Sequence, residues 1–278
     1  MSGFSPDWLA LREPVDHRSR DAALAARVAA MFAGRLSLSV VDLGCGAGSN
    51  IRATYKLLPA AQTWTLVDYD ARLLAVARER LAAWADTCTA DGQALQLLKD
   101  GKRLHVRFRQ ADLTKDLDAA LGTSPDLVTA SAFFDLCSEA FIHQFAKAVA
   151  AHKAAFYTVL TYNGVQTWSP AHQADETLRY FFHAHQAGDK GFGRAAGPGA
   201  AGSLGVAFEE LGYAVSDGDS PWLLGPGDAR LIADLAAGYS SAVGETGLVD
   251  ADTIATWARI VRTGAVVGHT DTLAIGGR

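Results

Sequence analysis

Short apolar runs alternate with longer segments of helical periodicity between residues 36 and 160. The short runs are rich in leucine and β-branched residues and are too short for ordinary helices, so they predict buried strands. Strands and helices that alternate in this way indicate an α/β fold with a mostly parallel sheet. The predicted strands are residues 36–43, 63–67, 104–108, 126–131 and 154–160.

Three regions lie outside that alternation, and we expect all of them to belong to one domain spanning residues 1–278. Residues 1–35 contain an alanine-rich helix that is expected to cover the cleft at the strand ends. Residues 161–204 follow the fifth strand, and Ser169-Pro170 predicts a helix start there because a hydroxyl cap precedes a proline. Residues 226–263 contain two further helices.

Six glycines lie within residues 187–202, at the end of the region that follows the fifth strand. Glycine leaves the backbone free to adopt many conformations, so this segment is held in place only where other groups contact it. The sequence leaves two interpretations open. The segment is either a lid over a binding site or a plain flexible linker.

The run Val40–Ser49, which reads VVDLGCGAGS, places a glycine-rich turn at the end of the first strand. Turns at this edge of α/β sheets bind adenosine cofactors, and glycine lets the backbone approach the ligand closely. A dinucleotide turn has the pattern G-x-G-x-x-G, whereas this turn has G-x-G-x-G followed by Ser49. Asp42 precedes the turn, and its charge repels a pyrophosphate and attracts a cation. S-adenosylmethionine carries a sulfonium and an amino group, so it suits this turn better.

Acidic residues also follow the next two strands. Asp68 lies 22 residues after Gly46, near the spacing of about 20 at which an acid binds ribose hydroxyls. A carboxylate suits that role because it accepts hydrogen bonds from both hydroxyls of a diol. Asp112 and the backbone N–H of Leu113 are placed to bind an adenine ring. A second interpretation of Asp112 stays open, because it is also a good N-cap for the helix that follows.

With these residues the chain resembles the class I S-adenosylmethionine-dependent methyltransferases over about residues 36–160. The resemblance implies a Rossmann-like, seven-stranded, mostly parallel sheet of order 3-2-1-4-5-7-6 with added helices over the cleft. It makes residues 213–216 the sixth strand and residues 269–275 an antiparallel seventh strand. It also implies that S-adenosylmethionine is the cofactor. The cofactor-binding residues expected on these grounds are Arg20, Asp42, Gly44, Cys45, Gly46, Asp68, Tyr69, Asp112, Leu113 and Ser131.

Methyl transfer is an in-line displacement at a sulfonium, which needs alignment of the reactants and, for an acidic nucleophile, a group that removes a proton. No metal is required. The candidates for the proton acceptor are His183, Tyr162 and Asp135. Three arginines are candidates for binding the cofactor's carboxylate. They are Arg18, Arg20 and Arg52, of which Arg20 is preferred because it lies on the covering helix.

The segment after the fourth strand indicates which kind of molecule accepts the methyl group. Methyltransferases acting on nucleobases or glutamine side chains often have Asn/Asp-Pro-Pro-Tyr/Phe there, whereas this chain has Ser131-Ala132-Phe133-Phe134. A small molecule that is methylated on oxygen, nitrogen or carbon is therefore favoured. Three alternatives stay open: a methyltransferase that modifies a macromolecule, a noncatalytic S-adenosylmethionine-binding protein, and a nicotinamide-dependent oxidoreductase, which Ser49 disfavours.

Composition limits the partners. A net charge of −5 and a pI near 5.9 argue against nucleic acid as a routine partner, because phosphate contacts need clustered lysine and arginine. No apolar run reaches the length of about 20 residues that spans a membrane, and the amino terminus does not read as a signal peptide, so a cytoplasmic location is expected. The three cysteines have no C-x-x-C spacing, which argues against a disulfide framework or zinc site. The added helices suit substrate recognition or a homodimer.

Overall fold

One mixed sheet runs through residues 4–277, the part of the chain that the computed structural model describes. Each strand is a short run of alternating or continuous apolar residues, as the sequence predicts. The strands are β1 (Ser37–Leu43), β2 (Ala61–Asp68), β3 (Thr87–Asp91), β4 (Ala94–Lys99), β5 (Lys102–Gln110), β6 (Leu127–Ser131), β7 (Ala155–Ser169), β8 (Tyr213–Asp219), β9 (Trp222–Leu224) and β10 (Gly264–Gly276).

The strand order is β3-β4-β5-β2-β1-β6-β7-β10-β8, and β9 pairs with β10. Strands β5, β2, β1, β6 and β7 are parallel, whereas β10 is antiparallel to both β7 and β8. The seven strands expected from the sequence therefore lie in the order 3-2-1-4-5-7-6. The sheet has ten strands rather than seven, because the hairpin of β3 and β4 extends one edge and β9 is added beside β10.

The helices lie on both faces of this sheet, and most begin at a side-chain cap. Asp70, Asp112, Ser138 and Asp250 each accept a hydrogen bond from a backbone N–H in the first turn of a helix. The helices are α1 (Pro6–Ser19), α2 (Ala22–Phe32), α3 (Ser49–Thr54), α4 (Ala71–Trp84), α5 (Leu113–Leu121), α6 (Glu139–Ala151), α7 (Asp175–Gln186), α8 (Ala200–Glu209), α9 (Ala229–Glu245) and α10 (Ala251–Ala258).

The amino-terminal cover consists of two helices rather than the single helix that alanine-rich periodicity predicts. The chain leaves the helical conformation at Arg20, whose ψ is 142°. Asp21 then caps α2 by accepting a hydrogen bond from the backbone N–H of Leu24 at 2.7 Å. Because aspartate binds free backbone N–H groups, it starts a new helix at the place where the preceding helix ends.

The region after the fifth strand also differs from the sequence-based expectation. Strand β7 continues to Ser169 and pairs with β10 over its whole length, so that Tyr162 lies opposite His269. Residues 161–169 are therefore part of the sheet. The helix predicted to start at Ser169-Pro170 starts at Asp175 instead, because the pairing with β10 satisfies the backbone groups as far as Ser169.

Two apolar clusters lie on the two faces of the sheet. One contains Val28, Trp64 and Leu104, and the other contains Phe145 and Phe156. Side chains of successive strand residues point to opposite faces, which is why one strand contributes to both clusters. Within residues 4–277, every helix is too short or too polar to cross a bilayer.

Candidate functional site

The glycine-rich turn after β1 has the backbone conformation that makes glycine necessary. Gly44, Gly46 and Gly48 have φ values of +60°, +51° and +76°, a region that other residues adopt only with strain. A Cβ atom on Gly44 would lie 2.6 Å from Cδ2 of Phe133. The turn is tied to the neighbouring strand, because the N–H of Cys45 donates to the carbonyl oxygen of Val67 at 3.0 Å.

Asp68 ends strand β2 beside this turn. Its Oδ2 accepts a hydrogen bond from the N–H of Gly46 at 2.8 Å, and its Oδ1 accepts one from the N–H of Asp70 at 2.9 Å. Burial raises the pKa of Asp68. Because each carboxylate oxygen has two lone pairs, both oxygens can accept a further hydrogen bond from a ligand.

Asp112 follows strand β5 and caps α5, so the second sequence-based interpretation of this residue is confirmed. Its Oδ1 accepts hydrogen bonds from the backbone N–H and the hydroxyl of Thr114, at 3.1 and 2.6 Å. Lys115 donates to Oδ2 at 2.8 Å. These hydrogen bonds lower the pKa of Asp112 to about 2. The side chain also lines the cavity described next, so the capping role does not remove it from the site.

A cavity of about 880 Å³ lies at the carboxyl ends of β1, β2, β5 and β6. Ligand pockets have volumes of about 300 to 1,000 Å³, so a cofactor-sized molecule fits. The wall includes residues of α1 and of the segment 190–192. The predicted cofactor residues that line it are Gly44, Cys45, Gly46, Asp68, Tyr69, Asp112, Leu113 and Ser131.

Asp42 does not line this cavity but lies beneath the turn, where it is fully buried. Its Oδ1 accepts a hydrogen bond from Nδ2 of Asn50 at 2.7 Å, and Asn50 does line the cavity. Burial raises the pKa of Asp42 to about 7. The structure therefore does not place Asp42 at the cavity, where a direct cofactor contact is expected, but places it where it positions Asn50.

Arg20 does not line the cavity either, which corrects its predicted contact with the cofactor's carboxylate. It follows the last turn of α1 and lies buried between the amino-terminal cover and the sheet, where its Nη1 donates to Oγ1 of Thr54 at 2.9 Å. Its charge lies near Asp42 and Asp271, so it compensates two buried acids. The two other candidate arginines are ion-paired, Arg18 with Asp228 and Arg52 with Glu13.

Arg12 and Arg72 both line the cavity, and neither is among the residues expected from the sequence. Arg72 is ion-paired with Asp70 at 2.8 Å, whereas Arg12 lies on α1. Nε and Nη2 of Arg12 donate to Asp16 at 2.8 and 3.2 Å, and its guanidinium lies 5.1 Å from the ring centre of Trp222. Asp16 also accepts a hydrogen bond from Nε1 of Trp222 at 3.0 Å. The spacing of four residues between Arg12 and Asp16 was a usable signal, because such pairs face each other on a helix. The signal was missed because the helix predicted from the sequence begins at residue 16, whereas α1 begins ten residues earlier, at Pro6.

The three candidate proton acceptors lie near one another behind the cavity wall, and none of them lines the cavity. The hydroxyl of Tyr162 is 3.0 Å from Nε2 of His183, and Asp135 accepts a hydrogen bond from Gln186 at 3.1 Å. The other oxygen of Asp135 has no partner among the described residues. Burial raises the pKa of Asp135 to about 6, and burial lowers the pKa of His183. Leu136, next to Asp135 in sequence, belongs to the wall.

Part of the glycine-rich segment 187–202 forms one side of the cavity, through Lys190, Gly191 and Phe192. The ring of Phe192 packs edge-on against Phe133, with ring centres 5.4 Å apart, and against Phe141 at 4.6 Å. The segment therefore contacts the cavity wall through an aromatic side chain that lies between flexible glycines.

The fold has relatives among solved structures. The chain is similar to the YcgJ protein of Bacillus subtilis, with 16% identity, a TM-score of 0.53, and coverage of 94% of this chain and 99% of that one. It is also similar to the cyclopropane synthase MmaA2 of Mycobacterium tuberculosis, with 10% identity, a TM-score of 0.51, and coverage of 98% and 94%. No protein-family model and no curated protein sequence matches the chain. At these identities the comparison shows the fold alone, which is a Rossmann-like α/β fold with a mostly parallel central sheet.

Proposed function

We propose that this protein transfers a methyl group from S-adenosylmethionine to an oxygen, nitrogen or carbon atom of a small molecule. One observation carries the proposal. Glycines in left-handed conformation after β1, a carboxylate after β2 and a carboxylate after β5 line one cavity of about 880 Å³. Those are the groups and the place that an adenosine cofactor requires in an α/β sheet.

The chain's own residues fit this cofactor. Asp68 has free lone pairs for ribose hydroxyls, and the turn at Gly46 has no side chain to occupy the space beside it. Asp112 and the backbone of Leu113 are placed for the adenine ring. We assign Arg12, rather than Arg20, to the cofactor's carboxylate, because Arg12 lines the cavity. Arg72 also lines it but is paired with Asp70, beside the end of β2 that we assign to the ribose.

When bound, S-adenosylmethionine supplies an electrophilic methyl group on a sulfonium. The protein then has to align the acceptor and exclude water, which is the main contribution to a displacement of this kind. Phe133, Leu136 and Phe192 give the cavity an apolar wall next to Ser131, at the end of β6. We assign the acceptor to this end of the cavity.

An acceptor with an acidic hydrogen also needs a group that takes the proton. We assign this role to Asp135, with the pair of Tyr162 and His183 behind it as the second candidate. Asp135 suits the role because it follows Phe133 in the wall, one of its oxygens is unpartnered among the described residues, and its raised pKa of about 6 lies near neutrality. A shift of the segment from Phe133 to Leu136 is required before Asp135 can reach a substrate.

A second candidate function is noncatalytic binding of S-adenosylmethionine. It is favoured by one specific observation: the three titratable candidates lie outside the cavity. A binding protein or sensor needs the cofactor contacts alone.

Two measurements test the proposal. Calorimetry with S-adenosylhomocysteine and, in parallel, NADH is expected to show one tight site for S-adenosylhomocysteine, and preference for NADH would overturn the assignment. Formation of S-adenosylhomocysteine is then measured with mixtures of small-molecule acceptors and, separately, with protein and RNA fractions. Turnover with a small molecule supports the proposal, turnover confined to a macromolecule contradicts its acceptor, and tight binding without any turnover favours the noncatalytic function.

A further inference from the structure

Strands β1, β2 and β5 have one face that is apolar along its length and a second face that is polar over part of its length, although the strands are parallel. Their side chains at Val40, Trp64, Leu66, Leu104 and Val106 are buried in the core. Parallel strands are usually buried on both faces, because the connecting helices cover both. Here the second face is packed only near the carboxyl ends of β1 and β2, at Val41, Leu43 and Val67. Its remaining part carries polar side chains, which packing against helices does not explain.

The polar residues of this face lie side by side in register. Ser39 pairs with Thr63, Thr63 with His105, and His105 with Gln96, which places four polar side chains in a row across four strands. In the next row, Thr65 pairs with Arg107. Residues paired in this way on the same face are close enough to bind one ligand together.

These rows contribute to the floor of a second groove, of about 680 Å³, which shares no lining residue with the cofactor cavity. The β3–β4 turn, with Asp91 and Gln93, forms one wall. The end of α5 and the segment 122–125 form the other wall. Helix α5 has nine residues and leaves the groove uncovered. The volume suits a small molecule.

The groove is lined by two permanent cations, Arg107 and Arg109, and Arg103 lies on the same strand but outside the groove. Arg103, Arg107 and Arg109 lie on the same face of β5, since residues two apart point the same way, and within residues 4–277 none of them is ion-paired. Arg109 donates to the carbonyl oxygen of Ala119. The groove has one carboxylate, Asp91, which lies 3.5 Å from Nε2 of His105. That nitrogen is buried and has no hydrogen-bond partner among the described residues.

From this arrangement we propose a second binding site in the groove, for a small phosphorylated molecule. Guanidinium groups together with hydroxyl donors are the groups that bind phosphate in proteins, and the groove offers Arg107, Arg109, Ser39, Thr63 and Thr65. A nucleic-acid strand suits it less, because walls on both sides limit the length of a bound chain. The site is separate from the cofactor cavity and does not depend on the function proposed above.

Calorimetry with inorganic pyrophosphate tests the site on the full chain, at low salt and at 0.15 M salt, with S-adenosylhomocysteine present at saturation. We expect one site per chain. Arg107→Gln is expected to weaken pyrophosphate binding about tenfold or more, because charge-assisted hydrogen bonds to phosphate are lost. Thr65→Val removes a hydroxyl without changing shape and is expected to weaken binding by a smaller factor. Arg103→Gln is the matched control, since it removes the same charge from the same strand face outside the groove.

Each other outcome contradicts the site. Absence of binding at millimolar pyrophosphate, an equal loss with Arg103→Gln, or displacement of pyrophosphate by S-adenosylhomocysteine would each exclude a specific phosphate groove here. If a single-stranded RNA oligonucleotide bound more tightly than pyrophosphate, and if that binding depended on Arg103, the ligand of this surface would be a polymer and the proposed small ligand would be wrong. Thermal unfolding of each variant is measured alongside, and Thr65→Val gives an independent result if Arg107→Gln alters folding.

Discussion

Asp68 accepts a hydrogen bond from the backbone N–H of Gly46, with the oxygen and nitrogen 2.8 Å apart. The bond joins the carboxylate at the end of β2 to the glycine turn after β1. One side chain therefore shapes the turn and faces the cavity at the same time. Changes at Asp68 and at Gly46 are expected to affect ligand binding together, because they act on the same wall of the site.

Asp68→Ala is expected to weaken S-adenosylhomocysteine binding by about 1 to 3 kcal/mol, because the ribose hydroxyls lose their acceptor. Calorimetry measures the change. Asp250→Ala is the control, since Asp250 caps α10 away from the cavity by binding the N–H of Thr253. Its loss is expected to reduce the free energy of unfolding by about 0.5 to 2 kcal/mol and to leave affinity unchanged. Equal affinities for wild type and Asp68→Ala would remove Asp68 from the site.

Gly46→Ala tests the turn itself. The φ of Gly46 is +51°, and its added Cβ would lie 3.2 Å from Cδ1 of Leu9. Backbone strain is therefore expected to account for about 1 to 2 kcal/mol of the stability that Gly46→Ala loses. Gly92→Ala measures that strain alone, because Gly92 has a φ of +58° and open space around it. We expect both variants to lose stability, whereas only Gly46→Ala loses S-adenosylhomocysteine binding in calorimetry. Retained binding by Gly46→Ala would exclude close approach of a ligand to the turn.

The family resemblance was sufficient to predict the order of the core strands, and eight of the ten residues expected to bind the cofactor line one cavity. The reason is local: a glycine turn after β1 and acids after β2 and β5 belong to short segments whose position follows from the sheet. Arg20 and Arg12 show where prediction from the local sequence pattern fails. Both lie in the amino-terminal cover, and the break at Arg20 decides which arginine reaches the cavity. Such a break depends on packing against distant residues such as Asp271, which local periodicity does not register.

The same limit applies to the substrate side. Residue type makes Asp135, after the fourth predicted strand, and Tyr162 and His183, after the fifth, candidates for the proton acceptor. Tertiary packing places all three behind the cavity wall rather than in it. Strand β7 runs on to Ser169 because β10 pairs with it. That pairing joins segments about 100 residues apart, and short-range patterns carry no information about it.

Replacing Arg12 and Arg20 by methionine, one at a time, distinguishes the role of Arg12 in binding from the role of Arg20 in stability. Arg12→Met is expected to weaken S-adenosylhomocysteine binding at least about tenfold, because a charge-assisted pair with the carboxylate is lost. Arg20→Met is expected to lower the free energy of unfolding by about 1 to 3 kcal/mol, because Thr54 loses a charged hydrogen-bond donor and Asp271 loses a nearby positive charge. The folded fraction of Arg20→Met should bind normally. Calorimetry measures the affinity and urea unfolding measures the free energy of unfolding. If Arg20→Met weakened binding and Arg12→Met did not, Arg20 would be the cofactor contact.

Asp42→Asn tests the buried acid through pH. Burial raises the folded-state pKa of Asp42 from 3.8 to about 7. Between these values the folded protein holds a proton that the unfolded chain has released, so rising pH favours unfolding. Asparagine keeps an oxygen for Asn50 and has no proton to lose. The stability of Asp42→Asn relative to wild type is therefore expected to increase as pH rises from about 4 to 7.

Urea unfolding at pH 5, 6 and 8 measures this relative stability. Each unit between the folded and unfolded pKa is worth about 1.4 kcal/mol at most. Asp68 and Asp271, whose pKa values are also raised by burial, are present in both proteins, so their contributions largely cancel. A difference between the two proteins that stays constant with pH would show that Asp42 is ionised in the folded state throughout.

The segment 187–202 is expected to act as a lid. Phe192 lines the cavity and packs against Phe133, while the glycines on either side leave the backbone free to move. If the cofactor completes the contact surface of Phe192, amide hydrogen exchange across residues 187–202 should slow when S-adenosylhomocysteine binds.

Phe192→Ala is expected to remove that protection and to increase the dissociation rate, with a loss of about 0.5 to 1.5 kcal/mol from the aromatic contacts. Val206→Ala, an exposed apolar change on α8, is the control. Unchanged exchange on binding would identify the segment as a linker, because a lid that excludes water has to become more protected when the site is filled.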